Sequence, residues 1–291
     1  MSINWYPGHM TKTKRMIIDS LKDIDIVVEL LDSRIPFASK NPDIEYLTKD
    51  KPKLLVLNKS DLSDPTETKK WADYYKKKGY FVISQSSLRM NTEAFTSALR
   101  ELFAEKAERY AKRGITNKAI RIMILGIPNV GKSTLINALS GERRVKAEDR
   151  PGVTRGKQWI SLKGNISLLD TPGILWAKLE NQHAATRLAI TGAIRDTVLD
   201  VEEIAFRLLQ ILAKDYPENL KERYKLDEIN PDIYELMLDI GRKRGFIIKG
   251  GEVNTERTAN VLLDEFRAGK IGRISLEKVA LFNKYETGDE A

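Results

Sequence analysis

Four short runs of consecutive apolar residues punctuate the first half of the chain. The run IDIVVELLD, residues 24–32, is apolar almost to its end, as a strand buried on both faces would be. KPKLLVLNKSD holds a second run at 54–57 and opens into a polar loop; GYFVIS (79–84) and IRIMILG (120–126) are the third and fourth. QWISL and NISLLD flank Lys163-Gly164 and predict a hairpin. Other stretches have helical spacing. Met10, Ile17, Leu21 and Ile24 share one face, with Lys12, Lys14, Arg15 and Lys22 mostly off it, which predicts a basic amphipathic helix over 9–22. A helix is expected to start at Pro65, a residue suited to the first helical position. Another spans 92–113, apolar at Phe95, Leu99, Leu102 and Phe103, and a shorter one spans 132–139. Strands alternating with helices imply an α/β fold, a mostly parallel sheet with helices on both faces.

Beyond Gly173 the apolar pattern becomes purely helical. Val198, Val201, Ile204, Ala205, Leu208, Leu209 and Leu212 recur at helical spacing, and Pro217 is expected to end that helix. Two more helices are expected over 231–244 and 255–268, each followed by glycine. The expected organisation is an α/β domain over 1–180 and an all-helical domain over 181–291 with a short disordered tail. The boundary falls loosely between 179 and 197.

The apolar share of 42% in 291 residues suits a folded protein with a core. Lys and Arg number 49 against 41 Asp and Glu, a formal charge of +8, which favours polyanionic partners such as nucleic acid. The absence of cysteine excludes disulfides and thiolate metal sites. The N-terminus shows no apolar leader, and no run is long enough to span a bilayer, so a cytoplasmic protein without a membrane partner, a monomer, is expected.

The strongest chemical signal is GIPNVGKST, residues 126–134, between a strand and a helix. Its glycines let the N–H groups of a loop at Asn129, Val130 and Gly131 converge on phosphate oxygens. The helix N-terminus at Lys132, Ser133 and Thr134 adds partial positive charge, Lys132 reaches the β and γ phosphates, and Ser133 is placed to ligate Mg²⁺. NKSD, at Asn58, Lys59 and Asp61, identifies the base. A carboxylate held edge-on accepts from both N1–H and the 2-amino group of guanine, whereas adenine would turn a lone pair on it. Asn58 can donate to guanine and tie neighbouring loops, and the stem of Lys59 can cover the ring. ISQSS, with Ser84, Gln85 and Ser86, is the candidate loop beside the base.

Two D-x-x-G sequences occur. DRPG at Asp149 follows no strand; DTPG at Asp170 follows ISLL and is the better candidate. Asp170 would hold Mg²⁺ through water, the Gly173 amide would sense the γ phosphate, and Thr154 in DRPGVTRG would close on Mg²⁺ when GTP is bound. In Ras-type G domains the order is P-loop, threonine, D-x-x-G, N-K-x-D and base loop. Here N-K-x-D and the base loop come first. This is the same cycle cut at another place, with residues 92–113 leading into the bridge between the old ends.

That order, with WYPGHM, GIPNVGKST, DRPGVT, DTPGILW and TGAIRD, resembles the circularly permuted GTPases of the bacterial ribosome biogenesis GTPase A, or YlqF, type. The resemblance spans the G domain and continues into the helical part. It implies GTP hydrolysis, association with the large ribosomal subunit late in its assembly, stimulation there, and an RNA-binding helical domain. It also implies a K⁺ ion beside Asn129. The segment LWAKLEN departs from the family pattern, with Ala177 where proline is expected and Asn181 where an acidic residue is expected.

Ras-type enzymes place a glutamine directly after D-x-x-G to orient water. Here that residue is Ile174, which cannot polarise water. The chain has two histidines. His183 lies in the polar stretch ENQHAAT and is expected to be solvent-exposed; His9 is expected to follow a sharp turn at Pro7-Gly8 that Trp5 and Tyr6 could anchor. Helix-start packing or RNA contact is an alternative reading of His9, and the family resemblance is what favours catalysis. Three functions compete: a ribosome-assembly GTPase, a GTPase switch acting on a protein or membrane partner, and a P-loop metabolic kinase. NKSD disfavours the kinase.

Overall fold

A computed structural model describes residues 9–140, 159–169, 181–198 and 200–282, the side chains of 9–13 and 198 excepted. Its elements are α1 (His9–Leu21), β1 (Ile26–Asp32), α2 (Pro42–Leu47), β2 (Lys53–Asn58), α3 (Pro65–Lys77), β3 (Phe81–Ser84), α4 (Thr92–Ala111), β4 (Ile120–Gly126) and α5 (Lys132–Ser140). A hairpin of β5 (Trp159–Leu162) and β6 (Ile166–Leu169) follows. The helices α6 (Gln182–Ile190), α7 (Val201–Asp215), α8 (Pro217–Tyr224), α9 (Ile233–Lys243) and α10 (Thr255–Arg267) complete the described part.

The four apolar runs and the hairpin join one six-stranded sheet in the order β3-β2-β1-β4-β6-β5. Every pairing is parallel except the hairpin itself. The consecutive apolar residues of a central strand serve two faces. Leu54 and Val56 point into the main core with α4, while Leu55 and Leu57 meet Leu31, Trp71 and Tyr75 on the side of α3. Fully burying such side chains contributes roughly 1.5–3 kcal/mol each, which makes the central strands the anchor of the fold.

Strand order reverses between β1 and β4. From β1 the chain moves outward to β2 and β3; from β4 it moves the other way to β6 and β5. Such a reversal opens a crevice at the carboxyl ends of the strands. The register brings those ends level. Asp32 stands beside Asn58, Leu57 beside Ser84, and Leu30 beside Gly126. Three motifs far apart in sequence therefore start from one edge of the sheet. The permuted G-domain order of motifs maps onto this sheet with the P-loop strand at its centre.

Three helices went unsignalled by apolar spacing: α2, α6 and α8. Pro217 does not simply end α7, which stops at Asp215. It occupies the first turn of α8, where its missing N–H is no loss. His183, expected in solvent, is only 3% exposed on α6. Its Nε2 lies 3.3 Å from Oε1 of the buried Glu277, a partner that no local pattern could reveal. The helical part packs around α7, which meets α6, α8, α9 and α10, and a small bridge pairs Ile247 with Val253.

After α10 the chain turns back over the strand ends. Ile274 N–H donates to Leu62 O at 2.9 Å and Leu276 N–H to Arg34 O at 2.8 Å. The Glu277 carboxylate accepts from the backbone of Phe37 at 2.7 Å and Ala38 at 3.1 Å, and Trp71 Nε1 donates to Glu277 O at 3.1 Å. The helical part is thus bonded to loops of the sheet through residues 274–277, and buried apolar residues form one cluster through both.

Candidate active site

β4 ends at Gly126, where a Cβ would lie 2.8 Å from Leu30 O; the close approach of β1 demands glycine. The loop then folds back so that Lys132, 9% exposed, donates from Nζ to the carbonyls of Ile127 at 2.9 Å and Gly126 at 3.2 Å. Lys132 opens α5, so the positive end of that helix faces the loop, and Ser133 and Thr134 sit half-buried in its first turn. Val130 buries its side chain and offers its carbonyl to Asn58 Nδ2 at 2.8 Å.

Asn129 is left-handed at φ 56, a conformation asparagine tolerates better than most residues. Its Nδ2 donates to Gly192 O at 2.7 Å. That carbonyl belongs to the TGAIRD turn after α6. Arg267 steadies the turn by donating to Ile190 O and Ala189 O, each at 3.0 Å, and by a forked pair with Asp196 at 2.7 and 2.8 Å. The P-loop and the helical part are therefore in direct contact.

Asn58 joins the P-loop to the base loop. While Nδ2 reaches Val130, its Oδ1 accepts from Ser87 N–H at 2.9 Å and Ser87 Oγ at 2.8 Å. Gly131, at φ 101, passes so close that a Cβ would fall 2.5 Å from Asn58 Nδ2. Gly131→Ala is therefore expected to push Asn58 off its carbonyl and weaken nucleotide binding by at least about tenfold, read by titration of a fluorescent GDP analogue. An unchanged affinity would mean that this tie is unimportant.

Lys59 is also left-handed, at φ 58. Its Nζ donates to Asn129 O at 2.6 Å and stands 3.1 Å from Asp32 Oδ2, so its stem crosses the crevice from β2 to the P-loop. Burial and the charge of Arg34 pull the Lys59 ammonium below the usual lysine value, against the opposing pull of Asp32. Asp61 follows, half-buried, in a turn closed by Leu62 N–H to Lys59 O at 2.9 Å. Gln85 binds the same loop: its carbonyl accepts from Ser60 N–H at 3.3 Å and its own N–H donates to Leu57 O at 3.0 Å. Ser86 Oγ caps the turn by accepting from Leu88 N–H at 3.3 Å, and Ser84 is exposed.

Two residues at this edge were missed. Asp32 and Arg34 form a forked pair, Nε to Oδ1 at 2.9 Å and Nη2 to Oδ2 at 2.7 Å, both almost fully buried. Burial alone would raise the Asp32 pKa, but the charges of Arg34 and Lys59 and the hydrogen bonds from Arg34 hold it well below the usual carboxylate range. The Arg34 guanidinium also lies 5.2 Å from the centroid of Phe266 on α10. The signal was present: a carboxylate that closes a mostly apolar buried strand, with an arginine two residues on.

His9 opens α1, and its side chain lies outside the described residues. Thr154, Asp170, Gly173 and Ile174 also lie outside them, as does the tail beyond 282. The described loops bring the Gly126–Gly131 turn, the first turn of α5 and Lys132 to one side of the crevice. Asp61 and the base loop stand on the other. A purine nucleotide with a charged phosphate tail fits this division.

A family model described as "50S ribosome-binding GTPase" matches residues 121–237. The chain is 46% identical over 278 residues to Ribosome biogenesis GTPase A of Bacillus cereus, covering 95% of this chain and 94% of that protein. It is 33% identical over 276 residues to the Thermotoga maritima protein of the same name, covering 95% and 94%. Among solved structures, a crystal structure of GNP-bound YlqF from T. maritima matches with TM-score 0.69 at 31% identity, covering 92% of this chain and 98% of that one. A GDP-bound YlqF structure matches with TM-score 0.68 at 29% identity, covering 91% and 100%.

Proposed function

The chain belongs to the ribosome biogenesis GTPase A family and hydrolyses GTP, and from that premise we propose that it acts on the large ribosomal subunit late in assembly, with turnover stimulated by the particle. The observation that supports this most is the match of residues 121–237 to a family described as binding the 50S particle. A groove of about 520 Å³ between α6, α7 and residues 276–281 adds to it. Arg187, Arg207, Lys214 and Lys278 line it with Asp215. Lys278 pairs with Asp215 at 2.7 Å and Arg187 donates to Leu276 O, and the lining keeps a net positive charge of the sign that RNA phosphates require. In this reading residues 1–180 are the nucleotide domain and 181–291 the RNA-binding domain. No helix among the described residues is long and apolar enough to cross a membrane. A cytoplasmic monomer is part of the proposal.

GTPases of this kind generally use Mg²⁺. Among the described residues no group of three or more His, Asp or Glu could hold a metal ion. Ser133, Thr154 and Asp170 would hold Mg²⁺, and Asn129 a K⁺ ion. Bound there, such cations neutralise charge on the transferring phosphoryl group. Asn129 keeps its amide nitrogen on Gly192 O, an attachment that leaves the orientation of its oxygen defined.

Ile174 gives the site no group to orient water, and His9 is proposed to supply it. His9→Ala is expected to lower particle-stimulated kcat about 10²-fold with the GTP Kd nearly unchanged. Stimulated turnover equal to wild type would remove His9 from the mechanism. The function itself is tested by sedimentation with purified subunits and a non-hydrolysable GTP analogue. Co-sedimentation with the large subunit alone is expected; binding to neither particle would favour a protein or membrane partner.

A further inference from the structure

We propose that Arg273 is a positioning residue for guanine recognition, holding the Asp61 loop from the far end of the chain. This rests on the reading of Asp61 as the residue that accepts from the base. To read N1–H and the 2-amino group together, the Asp61 carboxylate must lie in the plane of the ring. A misplacement that lengthens one hydrogen bond forfeits the discrimination it gives.

Local bonds alone hold the loop weakly. It has the turn at Lys59, the closing Leu62 N–H to Lys59 O bond at 2.9 Å, and a longer 3.3 Å bond from Ser60 N–H to Gln85 O. Ser63 Oγ adds a long 3.4 Å bond to Ser60 O, and shorter ties come from residues 269–275. Arg273 Nη2 donates to Ser60 O at 2.8 Å and Nε to Ser63 O at 3.0 Å. Those two carbonyls bracket Asp61 and Leu62. A guanidinium is a rigid planar fork, so it sets the distance between them and with it the course of the intervening backbone. Ile274 N–H adds a bond to Leu62 O at 2.9 Å, and Ser275 Oγ accepts from Asp64 N–H at 3.2 Å. The Leu62 side chain lies against Gly269, where a Cβ would fall 2.6 Å from Leu62 Cδ2.

Arg273 is exposed, so its loss opens no cavity in the core. Lysine would keep the charge but offer a single point in place of the fork. The effect of Arg273 should therefore fall on base recognition rather than on folding. The strap that ties the helical part to the sheet is then also part of the guanine site.

The test measures the Kd of the full chain for GDP, IDP and ADP, with thermal unfolding alongside, for wild type, Arg273→Ala and Arg273→Lys. Inosine lacks the 2-amino group, so the ratio of IDP to GDP Kd reads the placement of Asp61. Wild type should prefer GDP to IDP by at least about tenfold. In both variants that ratio should shrink toward one, with GDP binding weakened about tenfold, IDP binding much less, and the unfolding temperature little changed. An unchanged ratio, even with both affinities lowered equally, would overturn the positioning role. If Arg273→Ala does not fold, the lysine variant alone decides. A wild type that binds ADP as well as GDP would sink the guanine reading itself and this inference with it. A wild-type guanine preference with an unmoved ratio in the variants would sink only the inference.

Discussion

Asparagine in place of Asp61 is expected to move the preference of the site from guanine to xanthine nucleotides. The Asp61 carboxylate accepts two hydrogen bonds, whereas an asparagine amide accepts one and donates one. Guanine would then turn its 2-amino group on a second N–H donor. Xanthine carries an oxo group at the same carbon and would accept instead. Sites built on such pairing discriminate by about 10⁴–10⁵, so a loss of at least about 10³-fold in GTP affinity is expected, with XTP gaining. Asp61 is half-buried in a loop, so the substitution leaves the core untouched. Competition binding of GDP and XDP to both proteins reads it directly. GDP affinity within about threefold of wild type would show that another residue reads the base.

Alanine in place of Asp32 should produce the largest loss of stability from one polar substitution at this edge. Arg34 is 1% exposed, and its carboxylate partner would be gone. Breaking a buried pair on one side typically costs about 3–5 kcal/mol, a large share of the roughly 5–15 kcal/mol by which folded proteins are stable. Replacing both residues by leucine should cost less, because the Arg34 charge is then not stranded and only Lys59 loses its carboxylate. The same pair gives a pH signature. The folded pKa of Asp32 is depressed, so its contribution is fully present above the unfolded value of about 4 and is lost as pH falls toward the folded value. Urea denaturation should show the Asp32→Ala deficit in full at pH 7 and a smaller one below about pH 4. A deficit under about 1 kcal/mol at pH 7 would contradict this view of the pair.

The legible parts of the fold were those decided locally. The β4 run is buried at nearly every position and ends at a glycine that the neighbouring strand demands. The places of Asn58 and Lys132 on loops at strand ends were readable, because their motifs set particular residue types at fixed spacing after a strand. What escaped notice depends on partners distant in sequence. α6 looked like a linker because its buried face carries His183 and Arg187. These are satisfied by Glu277 and by Leu276 O at 3.3 Å, contributed from the far end of the chain. Arg273 is an ordinary surface arginine until the turn of the chain after α10 lays it on Ser60 and Ser63. Asp32 and Arg34 acquire meaning only when the sheet order places β1 between β2 and the P-loop strand.

A permuted G domain lacking the usual water-orienting residue is proposed to be switched on by the large ribosomal subunit. The most direct measurement is GTP turnover with purified large and small subunits, each at low and moderate salt. The predicted result is slow basal hydrolysis, raised at least about tenfold by large subunits and not by small ones, with stimulation fading as salt rises. Equal stimulation by both subunits, or none by either, would contradict it.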